Sequence, residues 1–315
     1  LPELVARCKP EKIFTSVIGK KFMQAQFDTT DWPIETVKTG DVISIGKRHI
    51  HFVETRMLHW PDSMFSYIPE DKLLISNDAF GQNIASVERF ADQIDPSRLL
   101  KSIKEYYYNI VLPFSPQVLR TLEAAAALKL DIEMIAPDHG LIWRGKDQVN
   151  FILSTYKALA EQKPACRAVI VYDTMWESTA LMASSIGTGL AEEGVPYRLI
   201  DLRQNHHSDV MTELADCGAV IIGSPTHNNN VLPGVADTLT YMKGLRPLNR
   251  IGAAFGSYAW SGEAPKIIQE WLASMHMELP AEPLKMLFRP KHNQLSQCVE
   301  LGRTVAKALK KKCAE

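Results

Sequence analysis

Five short, unbroken apolar runs constrain this chain more than anything else in it: "AVIVYD", "YRLIDL", "GAVIIGSP", "RIGAAFGS" and "LKMLF", all between residues 168 and 288. A strand with one wet face alternates apolar and polar residues. A run that does not alternate is buried on both faces, as in a parallel sheet covered by helices. Helical segments are expected between and after the runs, at 178–194, 209–216, 234–244, 262–276 and about 294–311. Five β–α units in this order predict a doubly wound, parallel, five-stranded α/β sheet, with ligands at the carboxyl ends of its strands.

Residues 1 to about 155 have a different rhythm and read as α+β. "EKIFTS" is a short strand, and "DVISIGKRHIHFVET" is two strands around Gly46-Lys47, a hairpin signal. "SMFSYIP" and "DKLLISND" follow, joined by a short turn. Two helices come next, "PSRLLKSIKEYYYNIV" after Asp95 and "SPQVLRTLEAAAALK", each opening on a proline. A last strand, "DIEMIAP", leads to Asp138-His139-Gly140. Hairpins followed by helices predict a sheet layer covered by helices. The rhythm changes near Lys163-Pro164-Ala165, which sets domain boundaries of 1–163 and 164–315.

The chain has 315 residues, enough for two cores, and a formal net charge of −1. Near-neutral charge gives no reason to expect a nucleic-acid or anionic-membrane partner. No apolar run reaches the roughly 18–20 residues of a membrane span. The five cysteines are scattered, without a CxxC, and read as reduced thiols of a cytoplasmic protein. The start, LPELVARCKP, has no Met and no signal-peptide pattern. It reads as a helix already under way, so processing or a missing upstream segment is expected.

Three loops follow the first, third and fourth apolar runs. In "DTMWESTALMA", Thr174, Ser178 and Thr179 place hydroxyls at a helix start, around Met175, Trp176 and Glu177. Free backbone N–H groups and the helix dipole there favour a phosphate. The loop has no Lys or Arg, so the cradle is neutral; a plain hydroxyl-rich helix cap reads the same way. In "GSPTHNNNVLPG", Pro225, Thr226, His227, Asn228, Asn229 and Asn230 pack no core. They make either a polar surface loop or the donors and acceptors that a flavin's pyrimidine edge needs. In "GSYAWSGEAPK", Ser257, Tyr258, Ala259, Trp260, Ser261 and Gly262 combine two flat aromatic faces with glycine access. Each aromatic taken singly also fits hydrophobic cover. The three loops together point to FMN.

"MLHWPDSMF" sets a separate problem, because its apolar ends enclose His59-Trp60-Pro61-Asp62. Two other strands end on chemistry-bearing residues: "LLISNDAFGQ" on Asp78 and "MIAPDHGLIW" on His139. Strand ends in a layered fold converge on one rim. His59, Asp78 and His139 are therefore candidate ligands for iron, zinc or manganese, with Asp62 and Asp138 as outer partners. Each taken singly is also a common structural residue.

The second half resembles flavodoxin, apart from Trp176 and Glu177 standing where a glycine is usual. The first half resembles the metallo-β-lactamase αββα fold, whose first motif, His-x-(His or Glu)-x-Asp-His, is absent here. That resemblance implies that the domain is truncated at its N-terminus, with further ligands upstream of Leu1. The pairing of the two halves resembles the flavodiiron proteins over residues 1–315, on "MLHWPDSMF", "SNDAFGQ", "APDHGLIW", "DTMWEST", "SPTHNNN" and "SYAWSGE". The resemblance implies FMN and two iron ions, with Asp78 bridging both and His59 and His139 each binding one. It implies reduction of dioxygen to water, or of nitric oxide to nitrous oxide, with rubredoxin or a similar carrier as electron donor. It also implies a head-to-tail homodimer that brings each flavin to the partner's metal site. Two other readings of the residues stay open: a zinc hydrolase fused to a flavodoxin domain, and an electron-transfer flavoprotein on a metal-free scaffold.

Overall fold

The computed structural model describes residues 1–128 and 130–314. Lys129, the end of the second expected helix, and Glu315 lie outside the described residues. The chain forms two compact units. One holds Leu1–Tyr107 and Phe114–Glu161; the other holds Tyr108–Pro113 and the chain from Gln162 on.

The first unit contains a mixed six-stranded sheet of β3 (Val42–Ser44), β4 (His49–Glu54), β5 (Met64–Ile68), β6 (Leu73–Ile75), β7 (Met134–Ala136) and β8 (Trp143–Arg144), in that order. All neighbours are antiparallel except β6 and β7. A separate parallel pair joins β1 (Ile13–Thr15) to β2 (Ile34–Thr36). The expected hairpin at Gly46-Lys47 is the β3–β4 turn, where Gly46 takes φ +89°. Helix α1 (Pro2–Cys8) covers the start read as helical, and α2 (Val17–Gln26) follows β1.

Helix α3 (Pro96–Tyr106) starts where Asp95 accepts from the backbone N–H groups of Ser97 and Arg98, with Pro96 at its first position. It buries Leu99, Ser102, Ile103 and Tyr106, the i, i+3, i+4, i+7 stripe of one helix face. The chain continues as a π-helical turn, Tyr107–Val111, and then α4 (Ser115–Ala127) and α5 (Lys146–Glu161). Neither α2 nor α5 is among the elements expected from sequence, and β2 and β8 are also additions. They are short, or, as in α5, carry on their buried face β-branched and aromatic residues that also suit strands.

The second unit is a five-stranded parallel sheet in the order β10 (Tyr197–Asp201), β9 (Ala168–Tyr172), β11 (Ala219–Gly223), β12 (Ile251–Tyr258), β13 (Leu284–Leu287). This 2-1-3-4-5 order is the flavodoxin arrangement, with its topological switch between β9 and β11. The helices are α6 (Ser178–Glu192), α7 (His207–Leu214), α8 (Pro233–Leu245), α9 (Ala264–Ser274) and α10 (Leu295–Ala314). Residues of β9, β11 and β12 are almost wholly buried, as their unbroken apolar runs require. Helices α6 and α10 pack closely because glycines face each other's backbone: a Cβ on Gly189 would lie 2.0 Å from the Val299 carbonyl oxygen.

Candidate metal centre and flavin site

Strand directions explain why His59, Asp78 and His139 meet. β5 is antiparallel to both β4 and β6, so β4 runs the same way as β6, and β7 is parallel to β6. The carboxyl ends of β4, β6 and β7 therefore share one edge. Ile75 of β6 is in register with Ala136 of β7. Asp78 and His139 each lie three residues beyond that pair and reach the edge together. His59 sits on the β4–β5 connection, which closes on itself: Thr55 N–H donates to the Ser63 carbonyl at 2.9 Å, and Leu58 N–H to the Thr55 carbonyl at 2.9 Å.

The three side chains converge on one carboxylate. His59 Nε2 lies 3.2 Å from Asp78 Oδ2, and His139 Nε2 lies 3.9 Å from Asp78 Oδ1. The hydrogen bond from His59 holds the Asp78 carboxyl below its usual range, against the opposing effect of burial. Among the described residues no group of three or more His, Cys, Asp or Glu side chains closes round a single ion. The arrangement instead offers one imidazole on each oxygen of a shared carboxylate, a donor set that suits a pair of ions. Asp78, Asp138, Asp62 and Trp60 border an open cleft of about 440 Å³. Asp138 accepts from the Asn77 side-chain amide at 2.7 Å, while Asp62 meets Ser16 only through its backbone carbonyl.

Two residues that sequence reasoning missed shape this edge. His139 Nδ1 lies 3.2 Å from the Gln82 carbonyl oxygen; a proton on Nδ1 donated there leaves Nε2 as the lone-pair nitrogen facing Asp78. Gln82 also bonds Leu141 N–H through Oε1 at 2.8 Å and the Phe80 carbonyl through Nε2 at 2.9 Å. Gly140 passes beside it at φ +81°, where a Cβ would lie 2.5 Å from Gln82 Oε1. Tyr106 packs edge-on to His139 with ring centroids 4.6 Å apart, and its buried hydroxyl has no partner among the described residues. Burial, with the nearby charges of Asp78 and Asp138, pushes the Tyr106 phenol up, so it keeps its proton. No local spacing announces either residue.

The three loops expected to hold a flavin lie at the carboxyl ends of β9, β11 and β12. A cavity of about 540 Å³, within the ordinary range for small-molecule sites, is lined there by Thr174, Met175, Trp176, Ser178, Pro225, Thr226, His227, Asn228, Ser257, Tyr258, Ala259 and Trp260. Phe288 and Arg289, in the loop after β13, also line it and were not foreseen. The carboxyl end of the fifth strand was the signal that could have found them. Thr174 is buried, and its Oγ1 has no hydrogen-bond partner among the described residues. An orphaned hydroxyl in a neutral loop at the N-terminus of α6 fits a phosphate group. Glu177 caps that helix at φ +61°, the backbone conformation that glycine usually supplies, and its carboxylate accepts from Arg203 Nη1 at 2.7 Å.

The remaining expected loop residues do not line the cavity. Thr179 is fully buried beneath it, with Oγ1 3.1 Å from Ser257 Oγ. Asn229 and Asn230 build a tight turn in which His227 and Asn230 exchange backbone hydrogen bonds of 2.9 and 3.0 Å. Asn228 and Asn229 both take positive φ in that turn. Ser261 and Gly262 border a neighbouring hollow with Glu263 and Lys266.

A β-lactamase-like unit that brings His59, Asp78 and His139 to one strand edge, in the same chain as a flavodoxin-like unit with a hydroxyl-bearing loop at the start of α6, defines the class. Family models agree: residues 1–140 match the ODP family beta lactamases and residues 170–302 match flavodoxin. The chain is 50% identical over 314 residues to rubredoxin-oxygen oxidoreductase of Megalodesulfovibrio gigas, covering 100% of this chain and 78% of that protein. It is 42% identical over 306 residues to the nitric oxide reductase of Moorella thermoacetica, covering 97% and 76%. The crystal structure of the flavodiiron protein from Giardia intestinalis superposes with a TM-score of 0.92 at 31% identity, over 96% of this chain and 74% of that one. The chain belongs to the flavodiiron proteins.

Proposed function

We propose that this protein reduces dioxygen to water, nitric oxide to nitrous oxide, or both, at a di-iron centre fed by FMN, taking electrons from rubredoxin or a similar carrier. The observation that carries the reading is the pair of imidazoles on opposite oxygens of Asp78. On this reading His59, Asp78 and His139 would hold the ions, with the Asp78 carboxylate shared between them. Two ferrous ions and a reduced FMN together supply the four electrons that dioxygen needs to become two waters. Gln82 keeps His139 turned with Nε2 toward Asp78. Tyr106 packs its ring against that imidazole, and its buried hydroxyl keeps its proton. Thr174, Ser178 and the first N–H groups of α6 would hold the phosphate, and Trp260, Tyr258 and Asn228, which line the same cavity, would border the ring.

The domain assignment is 1–163 for the metal domain and 164–315 for the flavin domain; the two compact units and the separate family matches support it. A head-to-tail homodimer is part of the reading. Trp176, Trp260 and Phe288 stand 82%, 86% and 64% exposed around the flavin cavity, an apolar rim that a partner subunit would cover. A cytoplasmic location is supported by the cysteines, which are all free. Among the described residues no helix is long and apolar enough to cross a membrane.

The composition tests this reading. Protein purified from iron-replete cells should carry two irons and one FMN per chain, sediment as a dimer, and consume dioxygen or nitric oxide with reduced rubredoxin. FAD in the released flavin, or zinc with hydrolase activity and no gas consumption, would overturn it.

Trp260 gives a second test. Its indole borders the cavity on its open side, so Trp260→Ala should weaken FMN binding by about 1–3 kcal/mol, the scale of stacking an aromatic on a base. The flavin reduction potentials should move as well. Fluorescence titration and spectroelectrochemistry that leave both unchanged would place Trp260 outside the flavin site.

A further inference from the structure

The first unit contains a half-open, largely apolar cavity between α4 and the sheet, away from the metal-edge side chains. The sequence explains it. The run Glu-Ala-Ala-Ala-Ala at 123–127 ends α4, and Gln117, Thr121, Ala124, Ala125 and Leu128 fall at helical spacing on the face that looks at the sheet. Opposite them lie Val53 and Phe65, paired neighbours on β4 and β5, with Tyr67 and Leu74, paired neighbours on β5 and β6. Alanine methyls do not span the gap that larger side chains would fill. A cavity of about 200 Å³ remains.

The wall is not purely apolar. Thr55, only 5% exposed, and Gln117 both line the cavity, and Thr55 Oγ1 and Gln117 Oε1 are buried with no hydrogen-bond partner among the described residues. Native folds rarely leave such atoms unmatched, so two in one cavity mark what its occupant must offer. Arg120, Arg56 and Glu54 also line it, Arg56 and Glu54 being paired at 2.8 Å. An ammonium group would meet two guanidinium groups and one carboxylate that is already paired. A carboxylate only accepts, so it would need the Gln117 amide turned to present its N–H. A hydroxyl donates to one orphan and accepts from the other through a single atom, and it serves the Gln117 amide whichever way that amide is turned. The rings of Phe65 and Tyr67 suit a flat apolar body, and a cavity of roughly 150 Å³ already admits benzene.

We propose that this cavity is a binding site for a monocyclic phenol, its hydroxyl between Thr55 and Gln117 and its ring between α4 and the sheet. The test is calorimetric titration of the FMN-loaded protein with p-cresol and with toluene, which lacks the hydroxyl. The p-cresol should bind about tenfold or more tightly than toluene, because toluene leaves both buried polar atoms unmatched. Thr55→Val should bring the two ligands within about threefold of each other, and Ala125→Phe should abolish binding by filling the space, with the flavin spectrum unchanged throughout. Loss of the preference for p-cresol in Thr55→Val together with loss of binding in Ala125→Phe, or the Thr55→Val result alone if Ala125→Phe does not fold, supports the site. No heat from p-cresol up to its solubility, equal affinity for toluene, or indifference to both substitutions would overturn it. So would crystals soaked in p-cresol that show only water between Thr55 and Gln117.

Discussion

Replacing Asp78 with alanine should strip both irons from the protein and abolish dioxygen and nitric oxide reduction, while FMN content stays unchanged. One carboxylate faces both imidazoles, with Oδ2 3.2 Å from His59 Nε2 and Oδ1 3.9 Å from His139 Nε2. On the proposed reading its loss would take a ligand from each ion at once. The cost should exceed the roughly 10–100-fold in metal affinity that follows loss of an outer-shell partner. His59→Ala and His139→Ala should each weaken one iron more than the other, since each imidazole meets a different oxygen. The flavin loops belong to the other compact unit, so the flavin should still accept electrons from its carrier. Metal analysis, the flavin absorbance ratio and turnover with reduced rubredoxin read the three outcomes separately. Two retained irons with full turnover in Asp78→Ala would return all three residues to structural roles.

What made this edge readable in the sequence is that its residues end strands. An apolar run followed by His or Asp is a local pattern, and a parallel β6–β7 pair turns equal offsets from one register into proximity. Gln82 and Tyr106 have no such pattern. Tyr106 ends the buried stripe of α3 and reads as core, which it is; only its packing on His139 gives it a further meaning. Gln82 follows a turn and acts partly through its own carbonyl, a group every residue has. The second unit was legible almost element by element because strands buried on both faces cannot alternate. Its loops were only partly legible. A polar run such as Thr226 to Asn230 does not say which amides border a cavity and which hold a turn, because that depends on φ. Helix α5 hides for a related reason. Its buried Val149, Ile152, Tyr156, Leu159 and Ala160 do follow one face, but β-branched and aromatic residues among them also suit strands.

Arg250→Met should destabilise the flavodoxin-like unit by about 3–5 kcal/mol, the range expected when several buried acceptors lose their donor together. Arg250 is 1% exposed, yet its hydrogen bonds go to neutral oxygens. Nη1 donates to the Gln162 carbonyl at 3.0 Å and the Leu248 carbonyl at 2.7 Å. Nη2 donates to Tyr108 Oη at 2.9 Å and the Leu214 carbonyl at 3.3 Å. The guanidinium thus ties four stretches of chain, including the excursion 108–113 and the last turn of α7, where the helix dipole favours a cation. Methionine is of similar length and apolar, so it fills the space without restoring a donor. For a unit of this size the loss corresponds to a fall in melting temperature of roughly 10 °C. Arg250→Lys supplies three donors from one atom instead of a planar fork, and should fall between wild type and Arg250→Met. Calorimetric melting of the FMN-loaded protein, with flavin fluorescence reporting release, gives the measurement. A melting temperature for Arg250→Met within about 2 °C of wild type would mean that water reaches these carbonyls and that the arginine is not what holds the segments together.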